Sequence, residues 1–325
     1  MISVSVIIIT QGRAELLMKC LSSLQQLPKE MELILVSNGE AIDEKIREYV
    51  EKSFSKKKIV ETPQVLSPGE ARNLAIKESS DSEWLLFLDD DAYLSPNYWE
   101  VAQRYIVQKE TDVLGGPDMA PSDMGYFSRA VATVLTSPFC TGLTFSRHFP
   151  LGKKIQFASE ENLTSANLWV RRKLFESVDF PTLYKRGEES LVLAKFAEMG
   201  FGMFYHPKLR IYHYRRNSLS EVLKVNFKGG YYRSQMMKEK VDLSWSYYLP
   251  SAFILLHFTA FYDFKTFLEL VVIYLSLIAC ISLGISQRQG NFATAPMVFI
   301  LHYLIVVTYG LGFMWGRLHK MPKSS

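Results

Sequence analysis

Over residues 1–115 the chain alternates short, unbroken apolar runs with amphipathic stretches, and this constrains the fold more than any other feature. VSVIIIT (4–10) is β-branched and uninterrupted, as expected of a strand covered on both faces. AELLMKCLSSLQQL (14–27) sets Leu17, Cys20, Leu21, Leu24 and Leu27 on one helical stripe. MELILVSNG (31–39) reads as a strand ending in a turn, IDEKIREYV (42–50) as a helix and KKIVET (57–62) as a third strand. In SPGEARNLAIKE (67–78), Ser67 is the expected N-cap, Pro68 suits the first helical position and Glu70 completes a capping box. WLLFL (84–88) is a fourth strand, a helix starts after Ser95 and Pro96, and DVLGG (112–116) is a fifth strand. Such alternation predicts an α/β fold, a mostly parallel sheet with helices on both faces. Ligands bind such sheets beyond the carboxyl ends of the strands. That rim would carry Thr10, Ser37, Asn38 and the acids Asp89, Asp90 and Asp91.

The acids follow the apolar run directly, in EWLLFLDDDAYLSP (83–96), and repel one another unless a cation sits among them. Side chains alternate along an extended strand end, so Asp89 and Asp91 can point the same way. Two neighbouring carboxylates favour a hard divalent cation, Mg²⁺ or Mn²⁺, which completes its shell with water and substrate phosphates.

Residues 117–246 are less regular. The pattern predicts loops around DMAPSDMG (118–125), a helix near 126–136, a strand near 164–171, helices near 172–178 and 188–199, and a strand near 203–212. SEVLKVNFKGGYYRSQMMKEK (220–240) is basic and amphipathic, which suits a helix lying on a membrane surface. From about Tyr247 the chain becomes mostly apolar, and this raises the overall hydrophobic content to 48%. Residues 247–262 are short for a span and hold Pro250, so they read as an interfacial segment. Residues 266–285 and 292–315 have the length of two membrane spans. Arg317, Lys320 and Lys323 after the second span place that end in the cytoplasm by the positive-inside rule. Three spans with the C-terminus outside is the alternative. The expected organisation is a domain over 1–219, an interfacial segment over 220–263 and transmembrane helices over 264–325.

The formal net charge of +4 is mild, and no long basic stripe is interleaved with stacking aromatics, which argues against nucleic acid. Cys20, Cys140 and Cys280 are far apart, with neither metal-site spacing nor a disulfide framework. The opening MISVSVIIIT reads as a first strand and not as a signal peptide, so the first domain is expected in the cytoplasm.

Taken in order, VSVIIITQGR, LILVSNGE, PGEARNLAI, EWLLFLDDDAYLSPNYWE, RRKLFESVDF, GEESLVLAKFAEMGFGMFYHP and IYHYRRNSL resemble the successive motifs of the family 2 inverting glycosyltransferases of GT-A fold. The likeness covers about residues 1–235, and the tail looks like that of bacterial members building exopolysaccharide or other surface glycans. The resemblance implies a nucleotide-sugar donor, with Asp89 and Asp90 toward the nucleoside and Asp91 on a metal bound to the diphosphate. Asp89 is also a candidate metal ligand, and His213 would complete the shell. Glu189 matches the general base, although the family usually has Asp there, so Glu188 is the alternative. Arg215 and Arg216 would clamp phosphate, while Thr10, Arg72 and Asn73 match positions near the nucleotide. Ser37 departs from the family's base-reading Asp.

The run Q-x-x-R-W of processive members is missing, so addition of a single sugar is expected. The implied acceptor is a polyprenyl-diphosphate-linked saccharide at a bacterial plasma membrane, with the catalytic domain cytoplasmic. A polyprenyl-phosphate sugar synthase and a catalytically silent membrane subunit are the alternatives. The oligomeric state, a homo-oligomer included, stays open.

Overall fold

The computed structural model describes residues 2–239 and 242–319. Lys240, Lys320 and Lys323, on which parts of the basic-segment and orientation readings rest, lie outside the described residues. The chain begins β1 (Val4–Thr10), α1 (Ala14–Ser23), β2 (Glu32–Asn38), α2 (Glu44–Ser53), β3 (Lys56–Thr62), α3 (Pro68–Glu78) and β4 (Trp84–Asp89). It continues β5 (Ala92–Leu94), α4 (Tyr98–Ile106), β6 (Val113–Gly115), β7 (Asp118–Met119), α5 (Tyr126–Leu135), α6 (Pro138–Thr141), β8 (Gln156–Phe157) and β9 (Asn167–Arg171). Then come α7 (Glu188–Glu198), β10 (Met203–Tyr205), β11 (Ile211–His213), α8 (Leu219–Met236), α9 (Leu249–Leu256), α10 (Phe264–Arg288) and α11 (Ala295–Leu318).

These elements fall into two compact units, 1–119 with 149–213, and 120–148 with 214–325. The sequence reading grouped 120–148 with the first domain. They join the C-terminal helices instead because Ala130, Val131 and Val134 of α5 share a buried cluster with Val298, Leu301 and Ile305 of α11.

In the first unit the main sheet runs β3-β2-β1-β4-β9-β6-β10-β8. β1 to β4 pair in parallel, as the alternation predicts. β9 is inserted antiparallel between β4 and β6, so the sheet is mixed. Both faces are covered. Val6, Ile8, Leu33, Leu35, Leu86 and Leu88 pack with Leu17 and Leu21 of α1 on one side. Ile7, Ile34, Val36, Leu85 and Phe87 pack with Ala75 of α3 and Val192 and Phe196 of α7 on the other. Successive strand residues thus enter opposite cores, and this is why these strands are apolar without alternation. The capping box of Ser67 and Glu70 is present at the start of α3.

β2 and β3 lie on one side of β1 and β4 on the other, which makes the β1–β4 boundary the point where strand order reverses. A crevice opens beyond the carboxyl ends of strands at such a point. Asp89 ends β4 there, and Asp90 and Asp91 form the turn into β5. The acids therefore do not continue an extended strand, as the alternation argument supposed. The turn carries the chain into a second sheet, β5-β11-β7. The strand expected over 203–212 is two strands, β10 and β11, separated by a turn through Pro207 in which Leu209 N bonds to His206 O. That break lets β10 stay in the main sheet while β11 joins the second.

In the second unit, α11 is the central helix. α5 and α6 pack on its first half and α8 and α9 on its second. α8 was expected on a membrane surface; it packs on α11 through glycine contacts at Gly230 and Gly312. α10 and α11 are both long and apolar enough to cross a membrane.

Candidate active site

The site is assembled at the β1–β4 crevice by the two sheets together. β11 pairs antiparallel with β5 so that His213 lies opposite Ala92, one residue from Asp91. His213 Nε2 is then 2.9 Å from Oδ1 of Asp91 and 4.0 Å from Oδ2 of Asp89. β7 pairs parallel with β11 and brings Asp118, whose Oδ2 is 3.2 Å from His213 Nδ1. A carboxylate on one ring nitrogen fixes the imidazole so that the other nitrogen presents to a metal.

Asp89, Asp91 and His213 each offer one ligand atom, and these atoms lie within 4.8 Å of one another. Two carboxylate oxygens and an oriented imidazole fit a divalent cation of the Mg²⁺ or Mn²⁺ kind, with coordination positions left for phosphate oxygens. Asp89 and Asp91 lie together here, held by a turn instead of by strand alternation.

Asp90 has a different environment. It is 1% exposed, accepts a hydrogen bond from Thr10 Oγ1 at 2.7 Å and pairs with Arg13. Arg13 also pairs with Asp91. Burial pushes the Asp90 carboxyl up to about 6, and the Arg13 guanidinium opposes that rise. Arg13 is the cation that the acid run calls for within the chain itself, and the sequence reading passed over it. The signal was available: it stands three residues past Thr10, at the start of α1 on the same rim.

Arg72 on α3 connects the acids to α7. It donates to Glu188 and, at 2.9 Å, to Ser165 Oγ, and its Nη2 is 3.9 Å from Asp89 Oδ1. Glu188 is 2% exposed and burial raises its carboxyl to about 6, with Arg72 opposing. Glu189 follows it in the first turn of α7 and is also buried. Glu188 is the acid that pairs with Arg72.

The remaining candidates have other partners. Asn73 exchanges both ends of its amide with the backbone of Phe180, at 2.9 and 3.0 Å, and thereby fixes the loop before α7. Ser37 is buried at the end of β2 and donates to the carbonyl of Glu40 at 2.8 Å. Arg215 and Arg216 belong to the second unit, where Arg215 Nη2 is 3.2 Å from His148 Nδ1 and the Arg216 carbonyl accepts from Ser128. Asp118 and Ser165 were not foreseen, and nothing local marks either one. Asp118 lies 95 residues from His213 and Ser165 lies 93 from Arg72.

Comparison with known proteins sharpens the picture. No curated protein matches the chain. Among solved structures, the mannosyltransferase PcManGT from Pyrobaculum calidifontis, in complex with GDP-Man and Mn²⁺, is similar. Its TM-score is 0.61 at 16% identity, covering 93% of this chain and 86% of that one. TarS residues 1–349 from S. aureus, in complex with UDP-GlcNAc, gives 0.54 at 17% identity, covering 98% of this chain and 92% of that one. At such identities the likeness establishes the fold. A family model described as Glycosyl transferase family 2 matches residues 5–179. A match over more than half its length, on a GT-A fold with a divalent-metal ligand set at the crevice, shows that the chain belongs to glycosyl transferase family 2 and is a transferase.

Proposed function

We propose that the chain is an inverting glycosyltransferase that moves a sugar from a nucleoside diphosphate donor to a membrane-bound saccharide acceptor carried on polyprenyl diphosphate. The observation that carries this reading is the joining of Asp89, Asp91 and His213 to Glu188 through the single guanidinium of Arg72. That bridge supports a donor diphosphate and an acceptor hydroxyl meeting in one place.

Asp89, Asp91 and His213 would hold a divalent cation, which would supply positive charge beside the departing diphosphate. The side chains of this protein supply the rest. Thr10 and Arg13 hold Asp90 toward the nucleoside side of the crevice. Arg72, fixed by Glu188 and Ser165, adds positive charge beside Asp89. Glu189 takes the proton of the acceptor hydroxyl as its oxygen bonds to the anomeric carbon and the bond to the diphosphate breaks. Glu189 stands at the position that matches the family's general base, and Glu188, which pairs with Arg72, is the alternative. Arg215 and Arg216 are further phosphate-binding candidates.

The apolar helices support action at a membrane, with the catalytic unit on the cytoplasmic side of a bacterial plasma membrane. The test is to incubate the purified chain with Mn²⁺ or Mg²⁺ and a panel of nucleotide sugars, reading donor hydrolysis and thermal shift, and then to add lipid-linked saccharides. One donor turned over only with metal, and transferred with inversion, is the expected result. A panel with no donor bound or turned over would sink the reading.

A further inference from the structure

α10 and α11 pass the same length and composition test for a membrane span, yet their surroundings differ. In the most apolar stretch of α10 only 11% of residues are buried; in α11 the figure is 44%. α10 packs a narrow stripe through Ile278, Ser282 and Ser286 and leaves Leu270, Ile273 and Leu277 exposed. Leu256 at the end of α9, and Phe258 and Phe261 in the turn that follows, are exposed as well.

α11 is enclosed at both ends by segments that cannot enter hydrocarbon cheaply. At its start, Tyr126 of α5 donates to the carbonyl of Ala293 at 3.2 Å. Tyr126 is seven residues after Met119, the end of a strand in the catalytic unit. Seven extended residues reach about 25 Å. Even with the tyrosine side chain added, this falls short of the roughly 40 Å between the outer edges of a bilayer's two headgroup regions. The intervening residues include Asp123, which accepts from Tyr214 at 2.7 Å, and Tyr214 directly follows His213. Chain length therefore keeps the start of α11 within reach of the membrane side from which residue 119 leaves.

At the other end, α8 presses against α11 almost backbone to backbone. A Cβ on Gly312 would lie 2.0 Å from the carbonyl oxygen of Phe227, and one on Gly230 would lie 2.0 Å from that of Tyr309. Gln235 and Lys238 of this segment donate to the carbonyl of Gly316. α8 exposes Lys224 and Lys228, so carrying α8 into a bilayer alongside α11 would place two ammonium groups in hydrocarbon.

We infer that α10 and the adjoining turn through Phe261 are immersed in a single leaflet of a bilayer, and that neither α10 nor α11 crosses it. The connection at 289–291 and the end of α11 then face the same side as the catalytic sheet. α11 serves as the core helix of the second unit. The occupant of the exposed apolar face is lipid. That face is bounded by exposed Lys265 near one end of α10 and exposed Arg288 at the other, where anionic headgroups complement both. This inference rests on the membrane part of the proposed function and is independent of sugar transfer.

The test uses the full chain in bacterial membranes with the exposed Cys280 replaced (Cys280→Ala), since Cys20 and Cys140 are buried. Gln287→Cys, at the exposed end of α10, and Lys52→Cys, in the catalytic unit, are each treated with a membrane-impermeant maleimide. Intact spheroplasts are compared with inside-out vesicles, and the membranes are also washed with alkaline carbonate. Both cysteines are expected to label only in inside-out vesicles, with the chain retained through the wash. Labelling of Gln287→Cys in spheroplasts while Lys52→Cys stays protected would show a crossing and overturn the inference. Recovery of the chain in the carbonate supernatant would overturn the immersion of α10. Neither readout involves a sugar donor, so the result is separable from failure of the transferase reading.

Discussion

Arg72 on α3 donates to Glu188, the first residue of α7, across 116 residues of sequence. The same guanidinium lies 3.9 Å from Asp89, so one side chain ties the metal-ligand acids to the acidic start of α7. Truncating one member of a buried pair leaves the other uncompensated, at a cost of about 3–5 kcal/mol. Arg72→Leu is therefore expected to lower stability by that order in denaturant unfolding. The double variant Arg72→Leu/Glu188→Leu should recover part of the loss.

The neighbouring acid should behave differently. Glu189→Gln is expected to slow transfer by roughly 10²–10⁴-fold while the donor still binds, because only proton removal is lost. Single-turnover kinetics beside donor titration would check this. If Glu188→Gln alone gave that pattern, the roles of the two acids would be exchanged.

Asp118 holds His213 through Nδ1, at 3.2 Å, on the side of the ring away from Asp91. Loss of such an outer partner typically weakens metal binding by about 10–100-fold. Asp118→Asn should therefore raise the Mn²⁺ concentration needed for half-maximal thermal shift by that factor. Asp91→Ala, which removes a ligand and the partner of Arg13, should abolish the shift.

Stability should carry a pH signature from Glu188. Burial raises its carboxyl from the ordinary 4.5 to about 6, so the folded chain binds this proton more tightly than the unfolded chain. Its contribution to stability is thus greatest at low pH and is lost as pH rises from about 4.5 to about 6, at most on the order of 2 kcal/mol. Metal-free Glu188→Gln should show a flatter dependence of unfolding free energy on pH across that window than the parent chain.

The α8–α11 contact predicts a contrast between glycines. Gly312→Ala forces a Cβ into the Phe227 carbonyl, whereas Gly284 on α10 has nothing within 4 Å of the position a Cβ would take. Gly312→Ala should lower the Tm of detergent-solubilised protein by several degrees. Gly284→Ala should leave it unchanged or slightly higher, since alanine favours helix by up to about 1 kcal/mol.

Much of the first unit was legible because the signals are local. Unbroken Val and Ile in 4–10 marked a strand buried on both faces, Ser67-Pro68 with Glu70 marked the start of α3, and the acids after WLLFL marked the rim. Burial, capping and turn chemistry act within a few residues of chain, so sequence by itself determined these elements and the position of Asp89, Asp90 and Asp91 at the crevice. Tertiary structure alone decided what surrounds them. The antiparallel entry of β9, the second sheet that sets Asp118 behind His213, the pairing of Arg72 with Glu188, and the enclosure of α11 each depend on residues brought together from far apart. No periodicity records such pairings, because their free energy comes from registry between elements and not from the composition of either one.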